Sequence, residues 1–210
     1  MRWFRSKQYP LALLILFLGF FVITAFHPLF LKDFILENVL TALFLCFLIS
    51  TYRSLRLSNL SYTFIFIFLL FHTIGAHYTY SNVPYEDWFQ SFFGVSINSY
   101  FGFMRNHYDR FVHFMFGFFM VYPLREVLIT KIKLRGFWSF FLPLTIIATC
   151  SLAYELIEWG AALIFGGDLG IAYIGVQGDV WDTQKDMAFA LLGNVVSSLG
   201  IFYYTRKKQN

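Results

Sequence analysis

The chain has 210 residues, of which 58% are hydrophobic, 22% aromatic and only 13% charged. A soluble domain carries roughly 25% charged residues, so this composition excludes an ordinary water-soluble fold. The net charge of +4 does not point to nucleic acid, because the basic residues sit in short clusters between apolar runs, the pattern that orients membrane spans.

The N-terminal MRWFRSKQYP and the following LALLILFLGFFVITAF have the basic and apolar parts of a signal peptide. The run ends in FHP with no small-x-small cleavage site, which predicts an uncleaved first transmembrane helix. Six spans follow from hydropathy and helix length, over about residues 10–26, 34–51, 60–78, 110–126, 138–164 and 184–204. Asp33 and Glu37 make the start of span two its least hydrophobic part. Span five carries Glu155 and Glu158 and is long enough to be tilted or broken. Residues 79–109 form a long loop in which aromatic and polar residues mix, as in a short interfacial helix or re-entrant segment. A second loop, about 165–183, is rich in glycine and contains Asp168. Cys46 and Cys150 lie inside predicted spans, far from any CxxC spacing, and read as small hydrophobes in a helix. With no internal repeat or compositional break, residues 1–210 read as a single integral membrane domain, an all-α polytopic helix bundle.

The basic residues orient it. With the N-terminus cytoplasmic, 12 of the 16 Lys and Arg residues face the cytoplasm, and only Lys32, Arg105, Arg110 and Lys185 lie on the other side. That split predicts both termini inside. Of the 12 acidic residues, Glu126 alone then falls on the cytoplasmic side, while the other 11 and all five histidines lie on the outer side or in the outer parts of spans. The titratable chemistry is one-sided.

Three motifs carry it. In RNHYDRFVHF, Asp109 and His113 are four apart and share a helical face, which Gly117 continues with a residue small enough for a second helix to approach. Arg105, His107 and Arg110 stand beside them as candidate substrate-binding groups, together with Asp109; guanidinium forks suit a phosphate. In YELIEW, Glu155 and Glu158 share one face, and ionised carboxylates exposed to lipid would cost at least ~2.5–3.5 kcal/mol each, so they must face protein, water or a cation. In GVQGDVWDTQKDM, Asp179, Asp182 and Asp186 are spaced three and four apart. One of the first two suits a helix cap, and Asp179 with Asp182 is the candidate divalent-metal pair. Ala190, Gly193, Ser197 and Gly200 follow as a small-residue seam with Asn194 beside it, marking a tightly packed helix. His113, Glu155, Glu158 and Asp186 are the candidate catalytic groups, whereas His27, His72 and His77 match no metal-binding spacing. HExxH, GxSxG, P-loop and GxGxxG signatures are absent from the sequence.

On these three motifs the chain resembles bacterial inner-membrane proteins of the YjdF type, over essentially its whole length. The resemblance implies a multi-pass inner-membrane protein and supplies no activity. A fainter similarity to VanZ-like membrane proteins rests on the order of acidic pair, glycine-containing loop, aspartates and Asn-containing small-residue helix. That family is associated with cell-envelope and glycopeptide-antibiotic phenotypes, and the similarity stands as analogy alone. Three functions compete on the residues: an outer-leaflet protein that binds or hydrolyses an envelope lipid or glycolipid, a small proton-coupled transporter, and a structural or assembly protein whose polar network only fixes helix packing.

Overall fold

The structure is a computed structural model that describes residues 8–166 and 177–207. Arg2, Arg5, Lys7 and Lys208, four of the 12 basic residues on the expected cytoplasmic side, lie outside the described residues, as do Asp168 and most of the glycine-rich loop. The described residues contain helices and no strand. Six helices are long and apolar enough to cross a membrane: α1 (Gln8–Ala25), α2 (Leu31–Leu55), α3 (Asn59–His77), α6 (Tyr108–Thr130), α7 (Trp138–Phe165) and α8 (Asp182–Lys207). Each overlaps a predicted span, and most run a few residues past the apolar window, because backbone hydrogen bonding continues into the polar ends. The long loop folds into α4 (Tyr85–Phe93) and α5 (Ile97–Phe101), whose Phe92, Phe93, Tyr100 and Phe101 are exposed and suit the membrane interface.

The apolar face of α1 is turned almost wholly outward, with 6% of its span buried, whereas half of the span in α6 is buried. α6 is therefore the central helix, packed on α3, α7 and α8. Its contact with α8 depends on two glycines. A Cβ on Gly117 would stand 1.9 Å from the Ala190 carbonyl oxygen, and one on Gly193 would stand 2.1 Å from that of Phe114. Only hydrogen fits there, so the two backbones touch. The buried seam of α8 runs Asp182, Asp186, Ala190, Gly193, Asn194, Ser197 and Ile201. Gly200 departs from the expected seam: it is exposed with open space around it, because Ile201, four residues after Ser197, takes the buried position at that turn. Asn194 donates from Nδ2 to the Leu144 carbonyl at 2.9 Å and ties α8 to α7.

At the end of the bundle where α3 begins, Glu126 of α6 is fully buried. Its carboxylate accepts from the Ser58 amide at 2.8 and 3.0 Å, from Ser58 Oγ at 2.7 Å and from Ser61 Oγ at 2.6 Å. A carboxylate is favoured there because the first turn of α3 presents unpaired N–H groups and the positive end of its dipole. Ser58 Oγ caps α3 by accepting from the Ser61 amide at 3.3 Å, and the Glu126 carboxylate on Ser58 and Ser61 fastens that cap to α6.

Gly117→Ala and Gly193→Ala should each destabilise the detergent-solubilised protein by about 1–3 kcal/mol as helices are forced apart, read as a lowered Tm, while Gly200→Ala leaves the Tm unchanged or slightly raised. Glu126→Ala strips an acceptor from three buried donors at roughly 1–3 kcal/mol for each left unsatisfied, and should lower the Tm more than Glu126→Gln.

Candidate functional site

The polar groups gather where α6 and α8 begin and α7 ends. An outer layer joins the segment before α6 to the segment before α8. Arg105 Nη2 donates to Asp182 Oδ1 at 2.5 Å. Arg110 Nη2 donates to Asp179 Oδ2 at 2.5 Å and to Asp182 Oδ1 at 2.9 Å. Lys185 Nζ donates to Asp179 Oδ2 at 2.6 Å. Gln177 and Asn106 add a reciprocal pair, since the Asn106 amide donates to Gln177 Oε1 at 3.1 Å and Gln177 Nε2 to the Asn106 carbonyl at 3.2 Å. Asp179 Oδ1 also accepts from the Trp181 amide at 3.1 Å, which starts the turn into α8. Lys185 first, then the Trp181 amide and Arg110, hold the Asp179 carboxyl well below the usual carboxylate range. The two sequence-derived metal candidates, Asp179 and Asp182, thus take three cations as partners, and the two arginines that suited a phosphate are engaged by these carboxylates.

Beneath this lies an inner layer. His113 Nε2 stands 3.4 Å from Glu155 Oε1 and 3.7 Å from Asp109 Oδ1. Asp109, His113 and Asp186 each offer one ligand atom within 4.8 Å of the others. Arg110 reaches this layer only through Nε, 4.0 Å from Asp186 Oδ1. His113, Glu155 and Asp186 are buried, while Asp109 and Glu158 are half-buried, Glu158 lying one turn beyond Glu155 on α7. The three motifs therefore meet at one place. Their convergence follows from the α6–α8 contact, which sets Asp186 two turns above Gly193 beside His113, one turn above Gly117.

A third set escaped the sequence reading. Tyr154 of α7 donates to Glu37 Oε2 of α2 at 2.9 Å, and Asp33 is buried one turn before Glu37. The signal was present: two carboxylates four apart inside a span obey the same cost argument as Glu155 and Glu158. His72 is likewise buried, with Nδ1 2.5 Å from Tyr80 Oη, and its Nε2 has no hydrogen-bond partner among the described residues. His77 serves the packing, as Nδ1 donates to the Thr24 carbonyl at 2.7 Å and joins α3 to α1.

A cavity of about 480 Å³ opens from this layer between α2, α3, α6 and α7. Asp109, His113, His72 and Tyr80 close its polar end, and past Phe116 the α6 wall is Met120, Leu124 and Val127. Phe47 of α2 and Ile157 of α7 line it while remaining 52% and 47% exposed, so the cavity opens sideways between these two helices.

Six membrane-length helices around a buried carboxylate and histidine site define a polytopic membrane protein with an internal polar centre. The chain belongs to the family described as "Predicted membrane protein (DUF2238)", whose pattern matches residues 9–208. It is 38% identical over 147 residues to the inner membrane protein YjdF of Escherichia coli (strain K12), an alignment covering 70% of this chain and 66% of that relative. No solved structure matches it. The relationship and the six spans support placement in a bacterial inner membrane.

Arg110 Nη1 donates to His107 Nδ1 at 3.1 Å, so His107 is neutral with its proton on Nε2. Burial first, then the Arg110 and Arg105 guanidiniums, lower its pKa from the ordinary 6.5. The neutral form is favoured by the fold, so this contribution to stability is complete above about 6.5 and is lost as pH falls through the lowered folded value. The Tm should therefore fall on acidification through that window, and His107→Gln, which keeps an acceptor but does not titrate, should fall less.

Proposed function

We propose that this protein binds an envelope lipid or glycolipid from the outer leaflet, with an acyl chain in the cavity and the polar head at His113. One observation carries the reading: an apolar cavity open to the bilayer ends on a buried set of carboxylates and imidazoles. Its volume, about 480 Å³, falls among ligand pockets of roughly 300–1,000 Å³. Lipid tails fill any apolar cleft that faces hydrocarbon, whereas the carboxylates demand a polar or cationic group at its end. An amphiphile meets both demands. The orientation expected from the basic residues, with both termini cytoplasmic, puts this end of the bundle at the outer leaflet.

His113 between Asp109 and Glu155 is the group suited to take a proton from water or a lipid hydroxyl, with Glu155, Glu158 and Asp186 as further proton carriers in a hydrolytic reaction. A phosphate head at Arg105 and Arg110 has to displace Asp179, the more exposed of their two partners. Against a proton-coupled transporter, the α6 wall from Phe116 to Val127 offers no titratable relay toward Glu126.

Lipid should remain bound through gentle detergent extraction and be seen by native mass spectrometry. Thr41→Phe and Ala153→Trp, on opposite walls of the cavity, should reduce that occupancy while the protein stays folded. His113→Ala and Glu155→Gln should keep the bound chain and abolish turnover of outer-leaflet phospholipids or glycolipids. Unchanged lipid occupancy in both wall variants sinks the proposal.

A further inference from the structure

We infer that Asp109, His113 and Asp186, with Glu155 beside His113, form a binding site for one divalent first-row transition cation such as Mn²⁺ or Zn²⁺.

Three features support the ion, and the first is spacing. His113 Nε2 lies 3.4 Å from Glu155 Oε1 and 3.7 Å from Asp109 Oδ1. Both exceed the ~3.2 Å limit of an N–H···O hydrogen bond. The first falls in, and the second just above, the separation of two atoms bound to one cation, since ligands about 2.0–2.2 Å from a tetrahedral metal stand about 3.3–3.6 Å apart. Asp186 brings a third ligand atom within 4.8 Å of those of Asp109 and His113.

The second is unmet hydrogen-bonding capacity. Asp186 and Glu155 are 3% and 5% exposed, and neither Asp186 Oδ1 nor Glu155 Oε1 has a hydrogen-bond partner among the described residues. A buried carboxylate oxygen left so is costly unless a cation or proton meets it. The third is charge. Asp179 and Asp182 engage Arg105, Arg110 and Lys185, and among the described residues the arginine or lysine nitrogen nearest an inner-layer carboxylate in an ion pair is Arg110 Nε, at 4.0 Å from Asp186. One imidazole with carboxylates selects Mn²⁺, Zn²⁺ or Fe²⁺ rather than Ca²⁺, which takes six to eight oxygens. Asp109 and His113 also close the polar end of the cavity, so an ion there would meet the head of any bound amphiphile, and His113 as its ligand would leave the proton-accepting role to a neighbouring carboxylate.

The test uses the full chain, purified in detergent, stripped with chelator and titrated with Mn²⁺ under electron paramagnetic resonance. One equivalent should bind, and the modulation of its spectrum should carry one imidazole nitrogen, an identification that needs no variant. Asp186→Asn and His113→Gln should weaken binding by more than about tenfold, and the Tm rise that Mn²⁺ gives the wild type should vanish in both. Lys185→Gln, in the outer layer, should bind as the wild type does. No Mn²⁺ or Zn²⁺ binding, a bound ion without imidazole coupling, or undiminished binding in both ligand variants overturns the site.

Discussion

The contact between Gly117 and Gly193 sets the distance on which the polar centre depends. Each glycine lies against the other helix's carbonyl, closer than any side chain permits. Without a hydrophobic driving force between helices in lipid, such close backbone packing is what holds two spans together. It also fixes register: once Gly117 meets Ala190 and Gly193 meets Phe114, Asp186 has no place except beside His113 and Asp109. The site is a consequence of two missing side chains a turn or two away from it.

The two ends of the bundle handle buried charge in opposite ways. Glu126 is saturated, with the Ser58 amide and two serine hydroxyls on its oxygens at the start of α3. Such an arrangement fixes a helix and leaves nothing to bind. At the other end, Asp179 and Asp182 are ion-paired with arginines and lysine, while Asp182 Oδ2 and, beneath it, Glu155 Oε1 and Asp186 Oδ1 have no hydrogen-bond partner among the described residues. The outer ion pairs close the α6–α8 corner over an inner layer whose capacity is unfilled. Each polar group in hydrocarbon must be satisfied or bear a cost, and the two ends meet that demand to different degrees.

The cavity gives the inner layer its access. Where α2 leans on α3, the space between α2 and α7 is spanned at its polar end by the Tyr154–Glu37 hydrogen bond and below by half-exposed apolar residues. A bilayer presents that opening with acyl chains and water in different zones, so a single amphiphilic molecule can touch the apolar wall and the carboxylates at once.

Read alone, the sequence determined the six spans, the crowding of titratable groups at one end, the shared face of Asp109, His113 and Gly117, and the small-residue packing of the last helix. These follow from composition and helical period, which are local properties. It also held an unread signal in Asp33 and Glu37, two carboxylates one turn apart inside a span. It placed Gly200 on the α8 seam where Ile201 is the buried residue, since small-residue spacing leaves the choice between neighbouring positions open. Only the tertiary structure decided who meets whom: Tyr154 with Glu37, 117 residues apart, Arg110 with Asp179 and Asp182, and His113 with Glu155. Those pairings depend on the order and tilt of packed helices, and no periodicity within one helix encodes which neighbour its buried face will touch.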